Sequence, residues 1–122
     1  METEKFSVSK RAKSFRYAFQ GLRQFFATQH NALIHAAATV LVVIGSIALH
    51  LPLSKLLFII VAVGLVWVAE LFNTAIEKLC DIVCPQQDPR IKFIKDVSAA
   101  AVLITAVIAV ATAGIIFIPV LL

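Results

Sequence analysis

Apolar and polar positions divide the chain into four stretches. From about Val8 to Gln29, apolar and basic residues interleave. Phe15, Phe19, Leu22 and Phe26 recur at i, i+4, i+7 and i+11, while Lys10, Arg11, Lys13, Arg16 and Arg23 hold much of the remaining surface. One apolar stripe on a basic helix predicts an amphipathic helix lying in a membrane interface, rings toward hydrocarbon and cations toward headgroups. A soluble helix packed on a partner would carry the same stripe.

The next three stretches have another character. Asn31 to His50 carries no formal charge when His35 is neutral, and Pro52 closes it. Ser54 to Val83 begins with an unbroken apolar run, Leu56 to Ala69, and then admits Glu70, Glu77 and Asp81. Cys84-Pro-Gln-Gln-Asp-Pro-Arg90 reads as a polar loop with two prolines. The fourth stretch starts at Arg90, loses all charge after Asp96, and meets Pro119 near its end. At about 1.5 Å per helical residue, each can cross a hydrocarbon core about 30 Å thick. The expected fold is an all-α membrane protein, one domain over residues 1–122, with a surface helix over 1–29 and membrane helices over 31–50, 54–83 and 90–119.

Composition sharpens this picture. Of 122 residues, 61% are hydrophobic and 15% charged, and the mean hydropathy is +0.95. One soluble core of this size cannot hide so much apolar surface. The net charge is +4, and the basic residues collect in the N-terminal segment from Lys5 to Arg23 and around Lys78, Arg90, Lys92 and Lys95, with only Lys55 in the first connection. In a chain this apolar, that basic balance points to an anionic leaflet and not to nucleic acid. The positive-inside rule puts the N-terminus and the Cys84–Lys92 loop on the cytoplasmic side. Met1 to His30 has no apolar core of the kind a cleavable signal carries. Cys80 and Cys84 form a C-x3-C pair with no second pair, so they read as small apolar residues and not as a zinc site. Ala99, Ala100, Ala101, Ala106, Ala109, Ala113 and Gly114 make the fourth helix rich in small residues. Such residues allow close helix packing in lipid, which predicts a homo-oligomer.

The acids are the chemical oddity. Glu70, Asn73 or Thr74, Glu77 and Asp81 fall at i, i+3 or i+4, i+7 and i+11, on one helical stripe. Three like charges there repel unless cations or a metal intervene. Lys92 and Lys95 can supply the cations, and Glu77 beside Asn73 can offer oxygens to Mg²⁺, which accepts one or two carboxylates together with phosphates and water. Such a set fits Mg-nucleotide binding and phosphoryl transfer. A solvated helix end, a structural ion-pair cluster or an ion pathway would use the same residues. There is no Walker A loop, no GxGxxG and no kinase-type HRD or DFG.

Glu70-Leu-Phe-Asn-Thr-Ala-Ile-Glu77, followed by Asp81 and by Lys95-Asp96-x-x-Ala-Ala-Ala-Val102, resembles the signature of the prokaryotic integral-membrane diacylglycerol kinases, which include undecaprenol kinases. Tyr17-Ala-Phe-Gln-Gly-Leu-Arg23 is similar to their surface-helix pattern. The resemblance covers nearly the whole chain. It implies a homotrimer in the inner, cytoplasmic membrane that uses ATP and Mg²⁺ to phosphorylate a lipid hydroxyl, of diacylglycerol or of undecaprenol. It implies Glu70 as the general base, and Tyr17, Asn73, Glu77, Lys95 and Asp96 as nucleotide-site residues. Glu77 would also hold the metal, with Arg23 and Asp81 as further polar site positions. Where the family places a second metal-binding Glu after Gly-Leu-Arg, this chain has Gln29, a neutral amide. His30, Asn31 and His35 stand close by in sequence with further ligand atoms. The alternative carried by Gln29 is a weakly active or non-catalytic nucleotide-binding relative.

Overall fold

The computed structural model describes residues 5–122; the first four residues of the expected 1–29 segment lie outside the described residues. All regular elements among them are helices: α1 (Val8–Thr28), α2 (His30–Ala48), α3 (Leu53–Val83) and α4 (Pro89–Leu121). The chain forms two compact units, the first ending at Ile34 and the second spanning His35–Leu122.

In the first unit, Ser7 starts α1. Its extended backbone and its hydroxyl, which accepts from the Lys10 N–H at 3.4 Å, serve one of the otherwise unbonded donors of the first turn. The helix stops at Thr28 because Gln29 turns extended, while its N–H still reaches the Phe25 carbonyl at 2.9 Å. Phe15, Tyr17 and Phe19 are exposed, whereas Phe25 is buried and meets Phe26 edge to face at 5.9 Å.

In the second unit, α2 ends with a two-bond helix stop. The Leu51 N–H bonds the Ser46 carbonyl and the His50 N–H bonds the Ile47 carbonyl, with His50 at φ 52°. This stop usually takes glycine in the left-handed position, although histidine is among the side chains that tolerate it. It drives Leu51 into a cluster with Ile59 and Ile116, flanked by Val42 and Phe117. Pro52, with its fixed φ of −67°, then sets the chain extended ahead of α3.

Helix lengths decide where the polar ends lie. The 31 residues of α3 make about 46 Å, roughly 16 Å more than a hydrocarbon core needs. Counted from Leu53, the excess begins at about Asn73, so Glu70 falls at the boundary and Glu77 and Asp81 beyond it. Helix α4, with 33 residues, is too long by a similar margin, and its charges lie in its first turns. A five-residue loop joins these two polar ends, so α3 and α4 run antiparallel and form the tightest helix pair of the chain. Three helices, α2, α3 and α4, are long and apolar enough to cross a membrane. Their faces carry exposed Phe58, Ile60, Leu103 and Val110, as lipid-facing or partner-facing helices do.

The expected boundaries shift by small steps. Helix α2 starts at His30 and stops at Ala48, because turn bonds replace helical ones at His50 and Leu51. Helix α3 starts at Leu53, directly after Pro52, and α4 starts at Pro89, since proline at the first helical position lacks only an N–H that would go unbonded there. Helix α4 does not stop at Pro119. A proline one turn from the end forfeits a single bond, and the Leu122 N–H still reaches the Ile118 carbonyl at 3.0 Å.

Candidate functional site

Each acid of the α3 stripe meets a different partner. Glu70, only 5% exposed, faces α2, where His35 Nε2 lies 2.7 Å from its Oε1. One turn earlier on α3, the Trp67 indole N–H donates to Thr39 Oγ1 at 3.0 Å, and the Thr39 hydroxyl donates to the His35 carbonyl at 2.7 Å. The His35 and Trp67 rings meet edge to face at 6.1 Å. These contacts repeat along both helices, His35 and Thr39 at i and i+4 against Glu70 and Trp67 at i and i−3.

Asn73 and Glu77 lie further along. The buried Ser98 of α4 donates its hydroxyl to Asn73 Oδ1 at 2.7 Å, so the Asn73 amide nitrogen is the atom that turns toward Glu77 Oε1, at 3.5 Å. The Asn73 oxygen, expected beside Glu77 as a metal ligand, is thus engaged by α4. Glu77 itself is exposed. One exposed carboxylate suits Mg²⁺, which completes its shell from phosphates and water. Among the described residues no group of three or more His, Cys, Asp or Glu side chains converges on one point.

Asp81 accepts from Lys95 Nζ at 2.7 Å, joining the polar ends of α3 and α4. Lys92 pairs with Asp96 one turn away on the same helix and not with the α3 acids. Asp81, Lys92, Lys95 and Asp96 line an open cleft of about 690 Å³ with loop residues such as Gln86. The loop closes on Asp88, which caps α4. Its Oδ1 accepts from the Arg90 N–H at 2.8 Å, and the Arg90 guanidinium bonds both carboxylate oxygens. That guanidinium first, and the backbone N–H second, hold the Asp88 carboxyl down at about 2.

Below the His35–Glu70 pair, on the apolar side, a cavity of about 280 Å³ opens between the helices of the second unit. His35, Thr39 and Trp67 form its polar end; Val42, Ile59 and Ala113 lie along its walls. The small residues Ala106, Ala109 and Ala113 leave this space, where larger side chains would fill it.

The second unit thus places Asn73, Glu77, Asp81 and Lys95 along the facing ends of α3 and α4, Asp96 in the same cleft as Asp81 and Lys95, and Glu70 apart from them against α2. Tyr17 and Arg23 are exposed on α1, and Gln29 follows its last turn, donating from Nε2 to Thr28 Oγ1 at 3.3 Å. His35 was grouped with Gln29 by sequence proximity, yet it engages Glu70. Its bond to Glu70, and Ser98's to Asn73, were not foreseen. The one available signal for His35 was a titratable side chain inside an otherwise uncharged apolar helix.

Residues 16–117 match the family described as prokaryotic diacylglycerol kinase. The chain is 38% identical over 110 residues to a diacylglycerol kinase of Synechocystis sp., covering 89% of this chain and 63% of that protein. It is 35% identical over 107 residues to an undecaprenol kinase of Bacillus subtilis, covering 88% of this chain and 87% of that one. The chain therefore spans somewhat less than two thirds of the first relative and most of the second. With a match over most of its length and two relatives above 30% identity, the chain belongs to the prokaryotic diacylglycerol kinase family.

Proposed function

We propose that the protein is a lipid kinase that moves the γ-phosphoryl group of ATP to the primary hydroxyl of a membrane lipid, diacylglycerol or undecaprenol. The observation that carries this reading is the placement of Glu70. It is a buried carboxylate at the edge of an apolar run, with an apolar cavity on one side and the Asn73–Glu77 and Asp81–Lys95 groups on the other. A lipid chain suits the cavity, and a triphosphate suits the polar ends.

In this reading the lipid hydroxyl loses its proton to Glu70 as its oxygen bonds to the γ-phosphorus. The bond from that phosphorus to the β–γ bridging oxygen breaks, and ADP leaves. Lys95 exchanges its bond to Asp81 for phosphate oxygens. Glu77, assisted by Gln29, would hold Mg²⁺, which when bound neutralises phosphate charge. Asn73, Tyr17 and Asp96 orient the nucleotide, and Arg23 and Asp81 complete the polar surroundings. Helix α1 rides the interface on Phe15, Phe19 and Leu22. The working unit is a homotrimer of one-domain chains in the inner membrane, N-terminus cytoplasmic. The exposed apolar faces of α2–α4 and the basic flanks support that arrangement.

The test is transfer from γ-labelled ATP in mixed micelles with Mg²⁺, with diacylglycerol in one arm and undecaprenol in the other. Labelled lipid in either arm is the expected result and identifies the acceptor. Nucleotide binding with no labelled lipid in either arm would refute the kinase reading and favour the non-catalytic relative suggested by Gln29.

A further inference from the structure

An isolated carboxylate at the edge of hydrocarbon is costly unless it is paired. The cations expected to relieve the acid stripe do not serve Glu70: Lys95 is bonded to Asp81 and Lys92 to Asp96. The group that meets it is His35, an imidazole from a different helix, at 2.7 Å. A carboxylate can only accept, so the ring carries its proton on Nε2 and donates it to Oε1. That nitrogen has no lone pair left for a metal.

The ring is itself held. Trp67 packs edge to face against it and ties Thr39 to the same face, while Thr39 bonds the His35 carbonyl. Trp67 and Glu70 are neighbours on one face of α3, so the helix that carries the acid also orients its partner. With Oε1 engaged by His35, Oε2 is the oxygen left to receive a proton. A general base must present one oxygen within hydrogen-bond reach of the hydroxyl, and a side chain with three rotatable bonds does so continuously only when something fixes it.

The geometry points to His35 as the positioning residue for Glu70: its Nε2–H clamps Oε1 and aims Oε2 at the acceptor hydroxyl. This rests on the lipid-kinase reading for its kinetic consequence. The bond itself can be read without activity.

Full-length His35→Ala and His35→Gln are compared with the unaltered protein in micelles, with ATP, Mg²⁺ and whichever lipid is phosphorylated. Glutamine places an amide N–H where Nε2 stands. His35→Ala is expected to lower kcat about 100-fold while KM for ATP and for lipid stay within about threefold. His35→Gln is expected to recover kcat to within about tenfold of the unaltered protein. A kcat for His35→Ala within about threefold of normal, a loss confined to KM, or a glutamine variant no better than alanine would overturn the assignment.

The second measurement is ¹⁵N–¹H NMR of labelled histidine, which separates the two claims when neither lipid is phosphorylated. The His35 Nε2–H proton should resonate far downfield, as a donor to a carboxylate does, and move upfield in Glu70→Gln. A resonance that ignores Glu70→Gln would overturn the clamp whatever the activity.

Discussion

The hydroxyl of Ser98 on α4 donates to Asn73 Oδ1 on α3 across 2.7 Å, and this bond decides which end of the Asn73 amide faces Glu77. Both residues sit where α3 and α4 press together, and Ser98 is buried. Serine is small enough for the close approach and still supplies a donor. Removing it leaves the Asn73 oxygen short of a partner and its orientation unfixed.

Ser98→Ala is therefore expected to lower stability by about 1 kcal/mol, the usual worth of one hydrogen bond between packed helices. Reversible unfolding in mixed micelles of increasing SDS content measures it. The same variant should raise KM for ATP more than it lowers kcat, because Asn73 is assigned to binding the nucleotide.

Gln29 supplies the second prediction. If it stands in for a carboxylate at the metal, Gln29→Glu adds the missing charge and should lower the Mg²⁺ concentration for half-maximal activity, by about tenfold if one charge is restored at close range. The measurement is a Mg²⁺ titration at fixed ATP. An unchanged titration would mean that the metal takes its second protein ligand elsewhere.

Asp88 gives a pH dependence with a defined sign. Its carboxyl is held at about 2, against an ordinary 3.8, by Arg90. A carboxyl depressed in the folded state contributes stability that is complete above 3.8 and is lost as pH falls through about 2. Asp88→Asn keeps a capping side chain but not the charge. The variant should melt below the unaltered protein at pH 5, and the two curves should converge by about pH 2. Melting followed by circular dichroism across that range checks it.

The helices were legible in the sequence because their causes are local. Charge-free runs, Pro52 and the two prolines of the Cys84–Arg90 loop act within a few residues of the boundaries they set. The stop at His50 was less legible, since nothing local marks a histidine for the left-handed position that glycine usually fills. Pro119 misled because a proline near a helix end costs little. The acid stripe was legible as a stripe, but the partner of each acid was not. Of the two cations expected near the stripe, Lys95 reaches Asp81 across the short loop, while Lys92 turns to Asp96 on its own helix. His35 lies far from Glu70 along the chain, and only the packing of α2 on α3 brings the two together. The bond from Ser98 to the Asn73 oxygen comes from a neighbouring helix, which sequence spacing cannot see.

The central claim is that Glu70 takes the proton of a lipid hydroxyl, and Glu70→Gln tests it most directly. The amide keeps the size of the side chain and an oxygen for His35, but it is no base. Initial rates of phosphate transfer from labelled ATP to lipid should fall by at least about 100-fold, with the assembly eluting unchanged on size-exclusion chromatography. A Glu70→Gln protein that phosphorylates lipid at close to the normal rate would contradict the account.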